Sequence, residues 1–194
     1  MAEKTTESPE EKADVDKILD GSTEKATKTV EKSVLIAKQN AEMKRLLRLL
    51  PFQIFILVAD ADGKIDQKEV AQFKEFLGHR AKNCSTIYTR RMFHSTLVNY
   101  TDLTNRYLGG GIKKDIGVIQ KAAGYIQMSA SEKVRKAIFK DLKELAVAIA
   151  EASGGIMGMT SPINKKEEAI LEEINMAFNQ AMEPDELNLD VSKG

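Results

Sequence analysis

Apolar side chains recur every three or four residues along most of this 194-residue chain. That spacing places them on one face of a helix, and no stretch alternates apolar and polar residues with the period of a strand. We therefore predict an all-α fold, a helical bundle of about seven helices without a sheet. The predicted helices cover residues 30–50, 51–60, 70–78, 86–108, 112–128, 131–152 and 164–182.

The second predicted helix is apolar on nearly all sides. It opens with Pro51, which suits the first turn of a helix, and continues with mostly apolar side chains at positions 52–58. A helix without a polar face has to be surrounded by other elements. We expect this helix to form the buried centre of the bundle and to deliver Asp60 to the turn that follows.

Composition divides the chain into three parts. Residues 1–28 are rich in Glu, Lys, Thr and Ser and carry few large apolar side chains, so they bury too little surface to offset the entropy of ordering. We predict a disordered N-terminal tail at 1–28, a helical domain at 29–182 and an acidic C-terminal tail at 183–194.

An acidic turn follows the predicted central helix. Its sequence from position 58 to 69 is Val-Ala-Asp-Ala-Asp-Gly-Lys-Ile-Asp-Gln-Lys-Glu. Spaced carboxylates, a turn glycine and a terminal glutamate are features of a calcium-binding loop. The first ligand position of an EF-hand would fall on Val58, however, so the turn lacks one anchor of that motif.

Helix capping accounts for part of the same pattern. Asp66 and Glu69 have the spacing of a capping box, in which each side chain accepts a hydrogen bond from a backbone N–H at the start of the next helix. Capping does not explain Asp60 and Asp62, which lie at the C-terminal end of a helix, where the dipole disfavours negative charge. A bound cation and a capped, solvated turn both remain open.

The turn is nearly repeated later in the chain. Residues 149–154 match residues 58–63, and residues 163–167 match residues 65–69. The second copy keeps the apolar, glycine and terminal glutamate positions but carries fewer charges.

The turn sequence at 59–69, the Leu50-Pro51 pair before it and the degenerate second copy resemble the TerB family of tellurite-resistance proteins and the wider TerB-like domain. The resemblance covers residues 30–182. It implies an all-helical bundle with two pseudo-symmetric halves, in which acidic turns between helices are associated with divalent cations. The metal ligands that it implies in this chain are Asp60, Asp62, Asp66 and Glu69, with Glu151 and Glu167 as their counterparts in the second half.

Four oxygen-bearing side chains and no soft ligand between positions 60 and 69 favour a hard cation, Ca²⁺ before Mg²⁺. We expect a non-enzymatic module that binds this cation and protein partners. The resemblance implies a stress (tellurite-type) resistance or defence response. Two alternatives remain open: an EF-hand-like calcium sensor or buffer, and a structural adaptor or assembly protein whose acidic turn holds no metal.

The charge balance and the cysteine content indicate which kinds of partner and which compartment to expect. With 29 basic and 29 acidic residues the formal net charge is zero, so nothing draws the whole chain toward nucleic acid or an anionic membrane. Cys84 is the only cysteine, which excludes an internal disulfide and favours a reduced, cytoplasmic setting. No segment is apolar enough over a sufficient length to cross a bilayer, so we expect membrane contact only through a partner.

No motif of catalysis or phosphate binding is present. The glycines and lysines at 109–114 lack the spacing of a phosphate-binding loop and predict a helix C-cap instead. His79 and His94 have no neighbouring ligand in sequence. We therefore predict no enzyme and no nucleic-acid partner. A solvated helix face is predicted for the basic cluster Arg80, Lys82, Arg90 and Arg91.

Overall fold

The computed structural model describes residues 9–153 and 165–183, with side chains for 33–152 and 165–183. The described residues form seven helices and no strand, which confirms the predicted all-α fold. None of the described helices is long and apolar enough to cross a membrane. The helices are α1 (Pro9–Ala59), α2 (Gln67–Asn83), α3 (Ile87–Val98), α4 (Tyr100–Leu108), α5 (Ile116–Ser129), α6 (Glu132–Ser153) and α7 (Lys165–Gln180).

Backbone contacts divide the chain into two units, Met1–Glu42 and Met43–Gly194. The described backbone of the first unit is helical from Pro9 onward, within the segment predicted to be a disordered tail. The predicted domain boundary at residue 29 stays a prediction. The acidic tail predicted at 183–194 lies outside the described residues except for Glu183.

Several predicted helix ends are wrong. The first two predicted helices are one helix, because α1 continues through Pro51. A proline inside a helix leaves the carbonyl four residues earlier, here that of Leu47, without its backbone donor. α2 likewise passes through Gly78 and ends at Asn83. At Pro51 the flanking residues are buried, and their packing outweighs the local signal to stop.

The long helix predicted at 86–108 is two helices, α3 and α4. They meet at Asn99, whose backbone has left the helical conformation. The Ser95 carbonyl accepts hydrogen bonds from both the side-chain amide and the backbone amide of Asn99, at 2.7 and 3.1 Å. The side-chain amide of asparagine offers the backbone carbonyl an additional local donor, which favours a helix end at this residue.

The C-terminal part of α1 forms the centre of the core, as predicted. Every residue from 50 to 59 is buried, so all sides of this segment are covered by protein. Phe55 stacks on Phe73 of α2 with ring centroids 4.3 Å apart. Elsewhere in the same core, Phe139 of α6 stacks on Phe178 of α7 at 4.7 Å. Burial of large aromatic side chains supplies much of the stabilisation of such a core.

Gln53 is the polar exception within the central segment of α1. Its side chain is fully buried, and its amide nitrogen donates hydrogen bonds to the carbonyls of Lys113 and Asp115, at 2.9 and 3.2 Å. Those carbonyls belong to the connection between α4 and α5, and the Asp115 carbonyl also accepts a hydrogen bond of 3.1 Å from the Val118 amide of α5. The hydrogen bonds of Gln53 therefore hold this connection against the core.

We expect Gln53→Met to lower the free energy of unfolding by about 1 kcal/mol, because the Lys113 carbonyl loses its buried donor while the volume of the side chain is kept. The Asp115 carbonyl keeps the Val118 amide, and the substitution also removes the buried Gln53 Oε1, which has no hydrogen-bond partner among the described residues. Chemical denaturation followed by circular dichroism measures the loss. Exposed Gln120, changed to Met, is the matched control and should be nearly neutral. Equal stability of the two variants would contradict the role given to Gln53.

Candidate functional site

The acidic turn begins where α1 ends, at Ala59, and stops where α2 begins, at Gln67. The amide of Gly63 donates to the carbonyl of Asp60 at 3.2 Å, which closes the first bend. Gly63 has a φ of +89°, a conformation that side chains with a Cβ rarely adopt. The chain thus turns sharply at the glycine that the sequence pattern singled out.

Asp66 and Glu69 form the predicted capping box at the start of α2. The Asp66 carboxylate accepts hydrogen bonds from the amides of Lys68 and Glu69, at 2.7 and 2.9 Å. In return, the Glu69 carboxylate accepts a hydrogen bond of 2.7 Å from the amide of Asp66. One oxygen of each carboxylate is therefore committed to stabilising the helix.

Asp60 lies on the other side of the turn, where it meets the connection between α4 and α5. The ammonium of Lys114 is 2.8 Å from the Asp60 carboxylate and 2.7 Å from the Asp60 carbonyl oxygen. The Tyr107 hydroxyl, from α4, donates to the same carboxylate at 2.5 Å. Three hydrogen bonds thus join the end of α1 to α4 and the segment before α5.

These contacts change the proton affinities of the groups involved. Burial alone would raise the pKa of Asp60, but the hydrogen bonds from Lys114 and Tyr107, together with the Lys114 charge, hold it below its ordinary value. Burial and the Asp60 carboxylate raise the pKa of Tyr107 to about 12. Asp60 is therefore a stable anion with an internal counter-charge, and Tyr107 stays a hydrogen-bond donor.

Glu69 is in a different electrostatic situation. Its residue is 2% exposed, and burial raises the pKa of its carboxyl to about 7. The hydrogen bond from the Asp66 amide opposes this rise, whereas the charges of Asp66, Glu167 and Asp62 add to it. Glu167, in the first turn of α7, is 4% exposed, so the structure brings two buried glutamates from the two sequence copies into electrostatic contact.

The other predicted ligands are not gathered at this point. Asp62 is exposed, and its carboxylate accepts a hydrogen bond of 3.0 Å from the amide of Lys64. Glu151, near the end of α6, is also exposed. Within the described ranges, no three Asp, Glu, His or Cys side chains are placed to share a metal ion.

The arrangement therefore does not fit a ready-made site for Ca²⁺ or Mg²⁺. The carboxylate and the carbonyl of Asp60 accept hydrogen bonds from Lys114. The carboxylates of Asp66 and Glu69 accept hydrogen bonds from backbone amides in the capping box. A divalent cation would have either to use the remaining oxygen of each carboxylate or to displace these donors, at the cost of the hydrogen bonds they make. Cation binding at the turn stays a prediction from the sequence.

Sequence analysis missed Lys114 and Tyr107 as partners of the turn. Lys114 was considered only within the glycine-rich stretch at 109–114. That stretch does cap a helix as predicted, because Gly109 is the C-cap of α4. A lysine placed 54 positions from Asp60 carries no local signal of the contact, which follows from the packing of α4 and α5 against α1.

A second candidate site is a groove of about 700 Å³ within the unit that starts at Met43. Parts of α1, α3 and α5, together with the start of α6, form its walls. Its apolar lining consists of Met43, Leu47, Met92, Ile126, Ala130, Val134 and Ile138. Its polar lining consists of Lys44, Arg48, Tyr88, Arg91, Ser95, Ser129 and Ser131.

The charged residues that line this groove are all basic. Lys44, Arg48 and Arg91 are exposed, and none of them is paired with a carboxylate among the described residues. Arg91 was predicted to lie on a plain solvated helix face together with Arg80. Arg80 instead forms ion pairs with Asp141, at 3.6 Å, and with Glu144, whereas Arg91 lines the groove.

We expect the stability of the protein to fall as pH rises from about 4.5 to about 7, and Glu69→Gln to remove this part of the pH dependence. The folded state holds the Glu69 proton in this range, whereas the unfolded glutamate, with an ordinary pKa of 4.5, has lost it. Urea denaturation across this range measures both proteins. Identical slopes for the two would contradict the environment assigned to Glu69.

We expect Lys114→Met to lower the free energy of unfolding by about 1 kcal/mol, since Asp60 loses its counter-charge and its carbonyl loses a donor. Lys113→Met is the matched control, because the Lys113 side chain is exposed and makes no contact of this kind. Thermal melts with and without millimolar Ca²⁺ should show a calcium-dependent rise in Tm only for Lys114→Met. In this variant the Asp60 carbonyl is released from Lys114, although Tyr107 still donates to the Asp60 carboxylate. A comparable rise in the wild type would instead favour the cation site predicted from the sequence.

Comparison with protein-family models, curated proteins and solved structures finds no match. The resemblance to TerB-like domains therefore stays a prediction that rests on the turn sequence and its near-repeat.

Proposed function

We propose that this chain is a non-enzymatic helical module that binds an acidic, apolar-bearing segment of a protein partner in the groove between α1, α3, α5 and α6. The observation that carries this proposal is the composition of the groove: an apolar floor beneath three cations that have no carboxylate partner among the described residues. A partner segment that alternates or clusters carboxylates and aliphatic side chains would satisfy both features at once.

The apolar floor supplies affinity. Met43, Leu47 and Met92 belong to two helices, and methionine can adapt its shape to different side chains. Burying a single aliphatic side chain of a partner there contributes roughly 1.5–3 kcal/mol before the entropy of association is counted. Two or three such side chains suffice for weak, reversible binding.

The basic rim supplies selectivity. Lys44, Arg48 and Arg91 favour a negatively charged partner and disfavour a positively charged one, and the guanidinium groups can hold a carboxylate through two hydrogen bonds. These interactions are partly exposed to solvent, so they should weaken with ionic strength.

In this proposal the acidic turn is structural. Lys114 meets both the carboxylate and the carbonyl of Asp60 and so supports the metal-free interpretation of the turn. The resemblance to TerB-like domains favours a cytoplasmic role in a stress or defence response. Binding of Ca²⁺ or Mg²⁺ would then be an addition to the module rather than a condition for its fold.

We expect the full chain to bind a short synthetic peptide of alternating Asp and Leu with a Kd on the order of 10⁻⁵–10⁻⁴ M, and its Lys and Leu counterpart much more weakly. The combined change Arg48→Glu and Arg91→Glu should weaken binding of the acidic peptide at least about tenfold, because attraction becomes repulsion. Fluorescence anisotropy of labelled peptides measures both.

The matched control reverses two neighbouring charges on the same helices, Arg45→Glu with Arg90→Glu. Both residues are exposed and lie outside the groove. Equal binding of the acidic and basic peptides, or equal loss in both double variants, would contradict the proposal.

A further inference from the structure

The last described residue, Glu183, is hydrogen-bonded to α5, a helix that forms part of the wall of the groove. The carbonyl of Glu183 accepts a hydrogen bond of 3.1 Å from the side-chain amide of Gln127, on α5. Gln127 follows Ile126, which lines the groove, and two further lining residues, Ser129 and Ala130, come soon after it. The next residues of the chain therefore start within a short distance of the groove.

Those next residues have the chemistry that the groove would select. The segment 184–194 has the sequence Pro-Asp-Glu-Leu-Asn-Leu-Asp-Val-Ser-Lys-Gly. It contains three carboxylates against one lysine, and aliphatic side chains at alternate positions, Leu187, Leu189 and Val191. A chain of eleven residues can extend by up to about 3.3–3.6 Å per residue, which gives the segment a reach of roughly 35–40 Å from Glu183.

We propose that residues 184–194 bind the groove of the same chain and compete there with a partner segment. The aliphatic side chains would occupy the apolar floor, and the carboxylates would meet Lys44, Arg48 and Arg91. This inference rests on the proposed function, because it assigns an internal competitor to the same groove. A partner segment could then bind only when residues 184–194 leave the groove.

The covalent link between residues 184–194 and the groove determines how strongly this segment competes with a partner segment. A segment joined to its site by a short linker has an effective concentration in the millimolar range. If the free segment binds with a Kd of about 10⁻⁴ M, the tethered one weakens the apparent affinity of a competing peptide about tenfold. That difference is large enough to measure and small enough for a stronger partner to overcome.

The test uses the full chain and the acidic Asp and Leu probe peptide. In one variant Leu187, Leu189 and Val191 are all changed to Ser, which removes the aliphatic side chains and keeps the charges. The matched control changes two polar residues of the same segment, Asn188→Ser with Ser192→Ala. We expect the triple-serine variant to bind the probe about tenfold more tightly than the wild type and the control to bind like the wild type.

The outcomes separate the two proposals. Equal affinity of the wild type and the triple-serine variant would overturn the internal competition while leaving the groove as a binding site. Failure of every variant to bind the probe would overturn both proposals. A second measurement adds Arg48→Glu and Arg91→Glu to the triple-serine variant, and the gain in affinity should then disappear because the shared site is gone.

Discussion

Residues 50–59 of α1 are buried without a break, and this constraint shapes the surrounding unit. A helix with no solvent-facing side requires protein on every side, so the helices of this unit share one core. Any polar group in the segment must then find a partner away from water. The amide nitrogen of Gln53 finds two in the carbonyls of Lys113 and Asp115, and these contacts hold the connection between α4 and α5 in place. The Gln53 Oε1 atom is the exception, since it has no hydrogen-bond partner among the described residues.

That connection explains the electrostatics of the acidic turn. Lys114 stands between the two carbonyls that Gln53 holds, and its ammonium reaches the last turn of α1. Asp60 would otherwise be a carboxylate at the negative end of the helix dipole, partly removed from water. Lys114 and Tyr107 offset both penalties, so the same packing that buries the end of α1 also supplies the counter-charge that it needs.

Prediction from the sequence succeeded for features that depend on residues close together in the chain. The buried centre at 52–58 follows from the lack of a polar face, and the cap of α2 follows from the three-residue spacing of Asp66 and Glu69. It failed at the junctions, where tertiary packing carries α1 through Pro51. It also could not find Lys114 as the partner of Asp60, because the contact joins residues that no periodicity relates.

A net charge of zero concealed the property on which the proposed function depends. The net charge counts the charged residues but not their positions. In the folded chain the acidic and the basic side chains are not evenly mixed. Asp60, Asp66 and Asp141 have partners inside the protein, whereas the cations around the groove have none among the described residues. A neutral chain of this kind has no long-range attraction for anions, but it retains a short-range preference at one place. Selectivity of the groove should therefore come from contact rather than from steering, and it would be set by how well carboxylates and aliphatic side chains alternate in the bound segment.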